Sequence, residues 1–438
     1  MTKRNLPLTV LACAFGAAMS FSAFGASAKP AKPARAKAEA PAARSEIALA
    51  HQLSSVGEEN LRKLVERFNA GQPTVAIQLV RLAEGEKPAV LNLVRRQDVL
   101  EAVAGKAAFK PLHEVMKEAK EAFKPEAISP DLRAGTTDEK GRFFALPVAY
   151  STPVLFYNRN AFRKAGLDPE RPPKTWMEVQ QAADKLQDAG EKCPYTTSWP
   201  TWIHIDNVSA LSGVPVASGK GELAFNGLPQ VKHVAMLATW HKSNFFKNFG
   251  RRNEADKHFL KGECAMITTD SWAHTLFREA QGVELGVAPL PHHDDVWGGR
   301  QHTLADGASL WIGAGYKAPE YKAAAKFVTW LLSSEVQVEL ARTYGQLPLT
   351  DAARSALRSK VQRDRELALD VAYASLKGDG SSHPLRISGI DPVRLILDEE
   401  LEAVWADTKP AKAALDTAVS RGNSILSAKP ALKKALPF

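Results

Sequence analysis

Residues 213–221 read Gly-Val-Pro-Val-Ala-Ser-Gly-Lys-Gly, the residue types that cradle phosphates on backbone N–H groups. The spacing is one residue too long for such a loop, and Gly221 stands where Ser or Thr is required, so a phosphate loop is rejected. His292, His293, Asp294 and Asp295 gather metal-ligand types, but adjacent side chains do not readily converge on one ion, and the stretch reads as a solvated loop. No Gly-x-Ser-x-Gly elbow, His-Glu-x-x-His pair or paired zinc-type cysteine motif occurs. Nothing in these residues supports an enzyme, and neither a metal nor a cofactor is expected. Cys193 and Cys264 either pair, closing a loop of roughly seventy residues for about 4 kcal/mol in the chain-entropy model, or stay as buried thiols.

The elements that must position any site begin after the N-terminus. Lys3 and Arg4, an apolar run from Leu6 to Phe21, and Ala26-Ser27-Ala28 read as a signal peptide over residues 1–28, too short to span a membrane. Residues 29–45 are Ala, Pro and basic residues without periodicity, a disordered linker. Setting both aside reduces the formal charge of +9 to +3, which is no nucleic-acid signature. Leu61, Leu64, Val65 and Phe68 recur at helical spacing, and strand-like runs begin at Ile47, Thr74, Pro88, Pro153, Cys264, Val283 and Gly307. Thr175 and Glu178 match a capping box, and Asp391-Pro392 reads as an N-cap followed by proline at the first helical position. Helices alternating with strands indicate an α/β chain with largely parallel sheets. Only a short turn separates the second and third strands, where a parallel pair usually needs a dozen residues; either a helix is lost or the strands pair differently.

The segment "GRFFALPVAYSTPVLFYNRNAFRKAGLDPERPPKTWMEV" (141–179), with "KCPYTTSWPTWIHIDN", "KGECAMITTDS", "GASLWI", "QLPLT" and "RLILDEELEAVW", resembles the solute-binding proteins of bacterial ABC importers, in the branch for sugars and related solutes. The resemblance implies a two-lobed periplasmic binding protein fold, each lobe a mostly parallel sheet with flanking helices, discontinuous and joined by hinge crossings. The expected limits are 46–149 with 304–349 for lobe 1 and 150–303 with 350–438 for lobe 2. The crossings fall near residues 148–153, 288–303 and 349.

Carried over residue by residue, the resemblance makes Ser151 a hydroxyl donor to ligand, Gly307 a close-approach backbone contact and Arg394 a bidentate phosphate clamp, with Arg386 as a second candidate. Trp199 and Trp202 offer flat faces to the C–H groups of a polyol. The chain departs from the family pattern at Asp270, which replaces a contact serine; there Ser271 can take over, or Asp270 can accept sugar hydroxyl protons. Gln346 replaces a contact tyrosine, with Tyr344 two residues earlier, and Arg95 falls where a glutamate is expected. The expected role is capture of glycerol 3-phosphate, a glycerophosphodiester or a related phosphorylated polyol. It would act in the periplasm as a monomer delivering to ABC permease subunits. A non-phosphorylated sugar is the alternative ligand, and a scaffold or sensor that has lost solute binding is the alternative role.

Overall fold

The computed structural model describes residues 44–53, 55–81, 87–95, 108–138, 140–218, 221–295, 302–359, 367–377 and 390–428. The expected signal peptide, nearly all of the linker and Arg386 lie outside the described residues. The described strands are β1 (Ser45–His51), β2 (Val75–Arg81), β3 (Leu91–Arg95), β4 (Phe109–Lys110), β5 (Leu146–Ser151), β6 (Pro153–Asn158), β7 (Tyr195–Thr197), β8 (Phe246–Lys247), β9 (Met266–Asp270), β10 (Leu285–Pro289) and β11 (Asp306–Gly313). Helices used below are α1 (Ser55–Gly71), α2 (Trp176–Asp188), α3 (Leu228–Lys242), α4 (Ala318–Leu331), α5 (Ser334–Tyr344), α6 (Ile390–Trp405) and α7 (Ala411–Ala428).

Two sheets form, one in each lobe. The first runs β2-β1-β3-β11-β4 with β5 also on β11, and the second runs β10-β6-β9-β7-β8. Both are mixed, not mostly parallel as expected: β1–β2, β1–β3, β7–β8 and β7–β9 are parallel, whereas β11 and β6 meet all their partners antiparallel. The reason is connectivity. β11 and β6 are the strands next to the lobe crossings, and a chain returning from the other lobe enters the sheet from the opposite end.

The short turn between the second and third strands is resolved by register. β2 and β3 do not pair; they flank β1, whose Leu49 meets Leu79 on one side and Leu91 on the other. β3 thus starts level with the last turn of β2. The link from β2 to β3 spans two strand spacings, about 9–10 Å, with a back-step of about 7 Å, and its residues 82–86 lie outside the described residues. Its end is pinned by the Tyr316 hydroxyl donating to Pro88 O at 2.7 Å and by Ala89 N–H donating to Asn92 Oδ1 at 3.0 Å.

Each sheet is closed by helices whose apolar stripe faces it. Leu61, Leu64, Val65 and Phe68 of α1 are buried in the first core, where the Phe68 ring lies edge-on to Phe327 at 5.0 Å and to Trp330 at 5.2 Å. The second core takes Val179 and Leu186 from α2, Leu237 from α3, Val393 and Leu401 from α6, and Leu415 from α7. α2 begins as its sequence indicates, with Glu178 N–H donating to Thr175 Oγ1 and Thr175 N–H to Glu178 Oε2, both at 3.1 Å. α6 starts at Ile390, so Asp391 lies inside its first turn and is not the N-cap. The segment after 350 divides between clusters: Leu357, Tyr373 and Leu376 join the first core, while Ala368 packs with Val154 and Phe156 of β6. Cys193 and Cys264 are joined in a disulfide, Cα atoms 4.5 Å apart, stapling the entries to the parallel neighbours β7 and β9.

A single residue, Thr152, separates β5 in one sheet from β6 in the other. Its carbonyl accepts from Ser271 N–H at 2.9 Å, its N–H points to Ser271 Oγ at 3.4 Å, and its hydroxyl donates to Ala372 O at 3.4 Å. The Thr152 hydroxyl is therefore spent inside the protein, and Thr152 is fully buried. A second crossing is held where Thr303 N–H donates to Ser375 O at 2.9 Å and Leu304 N–H to Asn207 Oδ1 at 2.8 Å. Beside the position expected for the third crossing, Leu347 N–H and the Trp272 indole N–H share Tyr150 O, at 3.0 and 3.1 Å, while Leu349 and Leu357 both stay in the first core.

Candidate functional site

β7 is followed by Ser198 and Trp199, and the backbone of Trp199 adopts φ +53°, a left-handed conformation that a bulky residue occupies only when its surroundings hold it there. Three contacts do so. Trp199 N–H donates to Arg252 O at 2.8 Å, its indole N–H donates to Asp270 Oδ2 at 3.1 Å, and the Arg252 guanidinium lies 5.8 Å from the ring centre. Asp270 closes β9, and its Oδ1 accepts from Ala273 N–H at 3.2 Å, capping the turn Ser271–Ala273. Its carboxylate thus shapes the indole and the turn. The residue before Trp199 is fixed by a second carboxyl: the Ser198 hydroxyl donates to Asp256 Oδ1 at 2.6 Å. Burial pushes Asp256 up to about 7, Asp270 beside it adds to the rise, and the Ser198 hydroxyl opposes it.

Trp202 opens a π-helical turn, Trp202–Asn207, an irregularity common at functional sites because the extra residue re-aims the side chains after it. It carries Asp206, which pairs with Arg394 of α6; the two side chains are only 5 % and 13 % exposed. Burial works against the Arg394 charge, yet Asp206, then Asp306 and Asp398, hold its pKa above the ordinary value. Asp306 belongs to β11 of the other sheet, so this electrostatic cluster spans both lobes. The Arg394 Nε–H is buried with no hydrogen-bond partner among the described residues. A small crevice lined by Asp206, Val216, Phe225, Ile390, Val393, Arg394 and Leu397 adjoins it. Asp398, one turn along α6, is raised by burial to about 6 against the pull of Arg251, Arg252 and Arg394.

The residues singled out from the sequence fall into two groups. Ser151 pairs with Asp306 across β5 and β11, Gly307 pairs with Tyr150, and Asp270 pairs with Pro153, so Ser151, Gly307, Asp270, Ser271 and Trp199 collect around one lobe crossing. Gln346 reaches the same junction, since the preceding Gly345 sits against the Trp272 backbone, and its Oε1 is buried without a partner among the described residues. Tyr344, in contrast, packs on the first core with its hydroxyl on Asn60 O at 3.4 Å.

The need for glycine at 307 lies in strand pairing: a Cβ there would meet Ala149 O at 1.7 Å, and the Gly307 N–H already donates to Asp306 Oδ1 at 2.8 Å. Trp202 is half-buried against the second core with its indole N–H unpartnered among the described residues. Asp206, Asp256, Asp306 and Asp398 were not identified from sequence. Asp206 shares the "TWIHIDN" stretch with Trp202, which is the one local signal for it; the others are isolated carboxylates with none.

Comparison with known proteins bears on the family and the fold. The profile of a family described as bacterial extracellular solute-binding protein matches residues 62–368. The sn-glycerol-3-phosphate-binding periplasmic protein UgpB of Salmonella typhimurium is 35% identical over 401 residues, which is 86% of this chain and 91% of that protein. Among solved structures, UgpB from Mycobacterium tuberculosis in complex with glycerophosphocholine superposes with a TM-score of 0.74 at 18% identity, covering 88% of this chain and 99% of that one. A cyclic alpha-maltosyl-1,6-maltose binding protein from Arthrobacter globiformis gives 0.70 at 21%, covering 88% and 100%. These structural likenesses bear on the fold, an α/β chain in two lobes.

Proposed function

This chain belongs to the bacterial extracellular solute-binding proteins, and from that premise we propose that it is the periplasmic capture component of an ABC importer for glycerophosphodiesters and related phosphorylated polyols. The observation that carries the reading is Arg394: a buried guanidinium with one N–H unspent, facing carboxylates of both lobes. A phosphate entering between the lobes would take that N–H and compete with Asp206 for the rest of the fork. The indole of Trp199, held edge-on to Asp270, would supply a flat apolar face to the glycerol moiety.

Charge selects among the glycerophosphates. Asp206, Asp306 and Asp398 surround Arg394, and each repels an anion. A phosphodiester carries one negative charge, whereas a monoester carries about 1.5 to 2 at neutral pH, so the diester meets roughly half the repulsion. The same carboxylates favour a second reading, a neutral sugar whose hydroxyls donate to them. Calorimetry on the purified mature protein separates the two. Heat with glycerophosphocholine that exceeds that with glycerol 3-phosphate, and is abolished in Arg394→Ala, is the expected result. Heat only with neutral sugars, unaltered in Arg394→Ala, would overturn the assignment.

A further inference from the structure

Behind the π-helical turn, six side chains of the second lobe form a continuous hydrogen-bonded line whose proton directions follow from its inner end. Thr197 Oγ1 lies 3.1 Å from Ser198 O and 3.2 Å from Thr268 O; carbonyls only accept, so the Thr197 proton is spent there. Thr268 Oγ1, 2.9 Å from Thr197 Oγ1, is then the donor in that contact. Its single proton used, Thr268 must accept from the Tyr195 hydroxyl at 2.6 Å. Tyr195 in turn accepts from His204 Nε2 at 3.3 Å. A neutral imidazole has one N–H, so His204 Nδ1 accepts from His233 Nε2 at 2.9 Å, and His233 Nδ1 accepts from His293 Nε2 at 3.0 Å. The opposite order satisfies the same ring contacts but takes the Thr197 proton away from both carbonyls.

Thr197, Thr268, Tyr195, His204 and His233 are each at most 1 % exposed, and His293 is half-buried at the outer end. The Trp176 ring packs on His204 at 5.5 Å and on His233 at 4.8 Å and brings no charge. Around His293 stand Lys232, His292, Asp294 and Asp295; around His233, among the described residues, His204 and His293 act electrostatically. Burial keeps the inner rings neutral, taking His204 down to about 3 and His233 well below the ordinary histidine value.

We propose that this line is proton-ordered, with His204, His233 and His293 all fixed as Nε2–H tautomers, and that it holds the π-helical turn bearing Trp202 and Asp206 in an orientation insensitive to acid. A proton enters only at His293 Nδ1, where uptake leaves the Nε2–H donated to His233 unchanged. Protonating either inner ring would instead set two N–H groups against each other. The order is imposed from the Thr197 end, so its loss must spread outward from Tyr195 and not inward from His293. That the turn serves capture rests on the function proposed above; the proton order does not.

The test is nitrogen NMR of the imidazoles in the labelled mature protein, with amide hydrogen exchange over residues 203–211. In the wild type all three rings should carry the proton on Nε2, and on acidification His293 alone should gain one on Nδ1. Tyr195→Phe should bring a mixture of tautomers at His233 and His293 and speed exchange in the turn at least ten-fold. His293→Ala should leave His204 and His233 as Nε2–H. A neutral-pH Nδ1–H on any of the three wild-type rings would overturn the proposal, whether or not Tyr195→Phe folds. So would a folded Tyr195→Phe with His293 unchanged. A wild type that shows the order but takes up no glycerophosphocholine would sink the capture reading and leave this one standing.

Discussion

Asn in place of Asp256 should change how stability depends on pH. In the folded protein burial and Asp270 raise this carboxyl to about 7, against 3.8 for the ordinary side chain. A raised folded pKa means the contribution is fully present below pH 3.8 and is lost as pH rises through 7. Between pH 5 and 8 the wild type should lose about 3 kcal/mol through this one group. His204 runs the other way: its pKa falls from 6.5 to about 3, so its contribution is present above pH 6.5 and lost on acidification. It adds about 2 kcal/mol over the same rise in pH. His233 and Asp398 also shift within this window, so the effect of Asp256 is read as the difference between variant and wild type. Asp256→Asn keeps an Oδ1 to accept from the Ser198 hydroxyl but cannot ionise, so it removes the pH dependence of this one group. Urea unfolding of both proteins at pH 5, 6, 7 and 8 should show the variant gaining about 3 kcal/mol on the wild type from the lowest to the highest pH. A difference that stays constant within about 0.5 kcal/mol would refute the account of Asp256 as a buried acid beneath Trp199.

Removing the disulfide by Cys193→Ser with Cys264→Ser, across a sequence separation of 71 residues, should cost about 4 kcal/mol, read as a lower urea midpoint. Asp206→Asn should strengthen glycerophosphate binding about ten-fold by lifting a competing carboxylate from Arg394, and calorimetry would register weaker binding if Asp206 instead touches the ligand. In Gly307→Ala the new methyl group would overlap Ala149 O, so the variant should lose about 3 kcal/mol or more, measured by thermal melting.

What the sequence disclosed was what neighbouring residues decide among themselves. The capping box at Thr175 and the wholly buried run Pro153–Asn158 are of this kind. Pairing across long separations was hidden. Nothing local says that β2 and β3 sit on either side of β1, because that depends on a register in which Leu49 faces both Leu79 and Leu91. Arg394 was legible as a candidate, but its partner Asp206 lies 188 residues earlier. Asp270 was read as a ligand contact from its place in the chain, and only the left-handed Trp199 shows that its oxygens shape an indole and a turn. His204, His233 and His293 stand 29 and 60 residues apart, with no spacing that could reveal a line of rings.

The single residue between the two sheets sets how little chain must be ordered when the lobes swing. Pro153 locks its own φ and restricts Thr152 to extended conformations, leaving a few soft torsions as the axle. Fixing the backbone of a residue costs about 1–2 kcal/mol, so a long flexible connection would give up many times that on each swing. At this crossing little of the free energy of gripping a solute would go into ordering chain. The same economy makes the axle fragile: lengthening the joint between Ser151 and Pro153 by a glycine or two would slacken the grip without touching any residue that meets the solute.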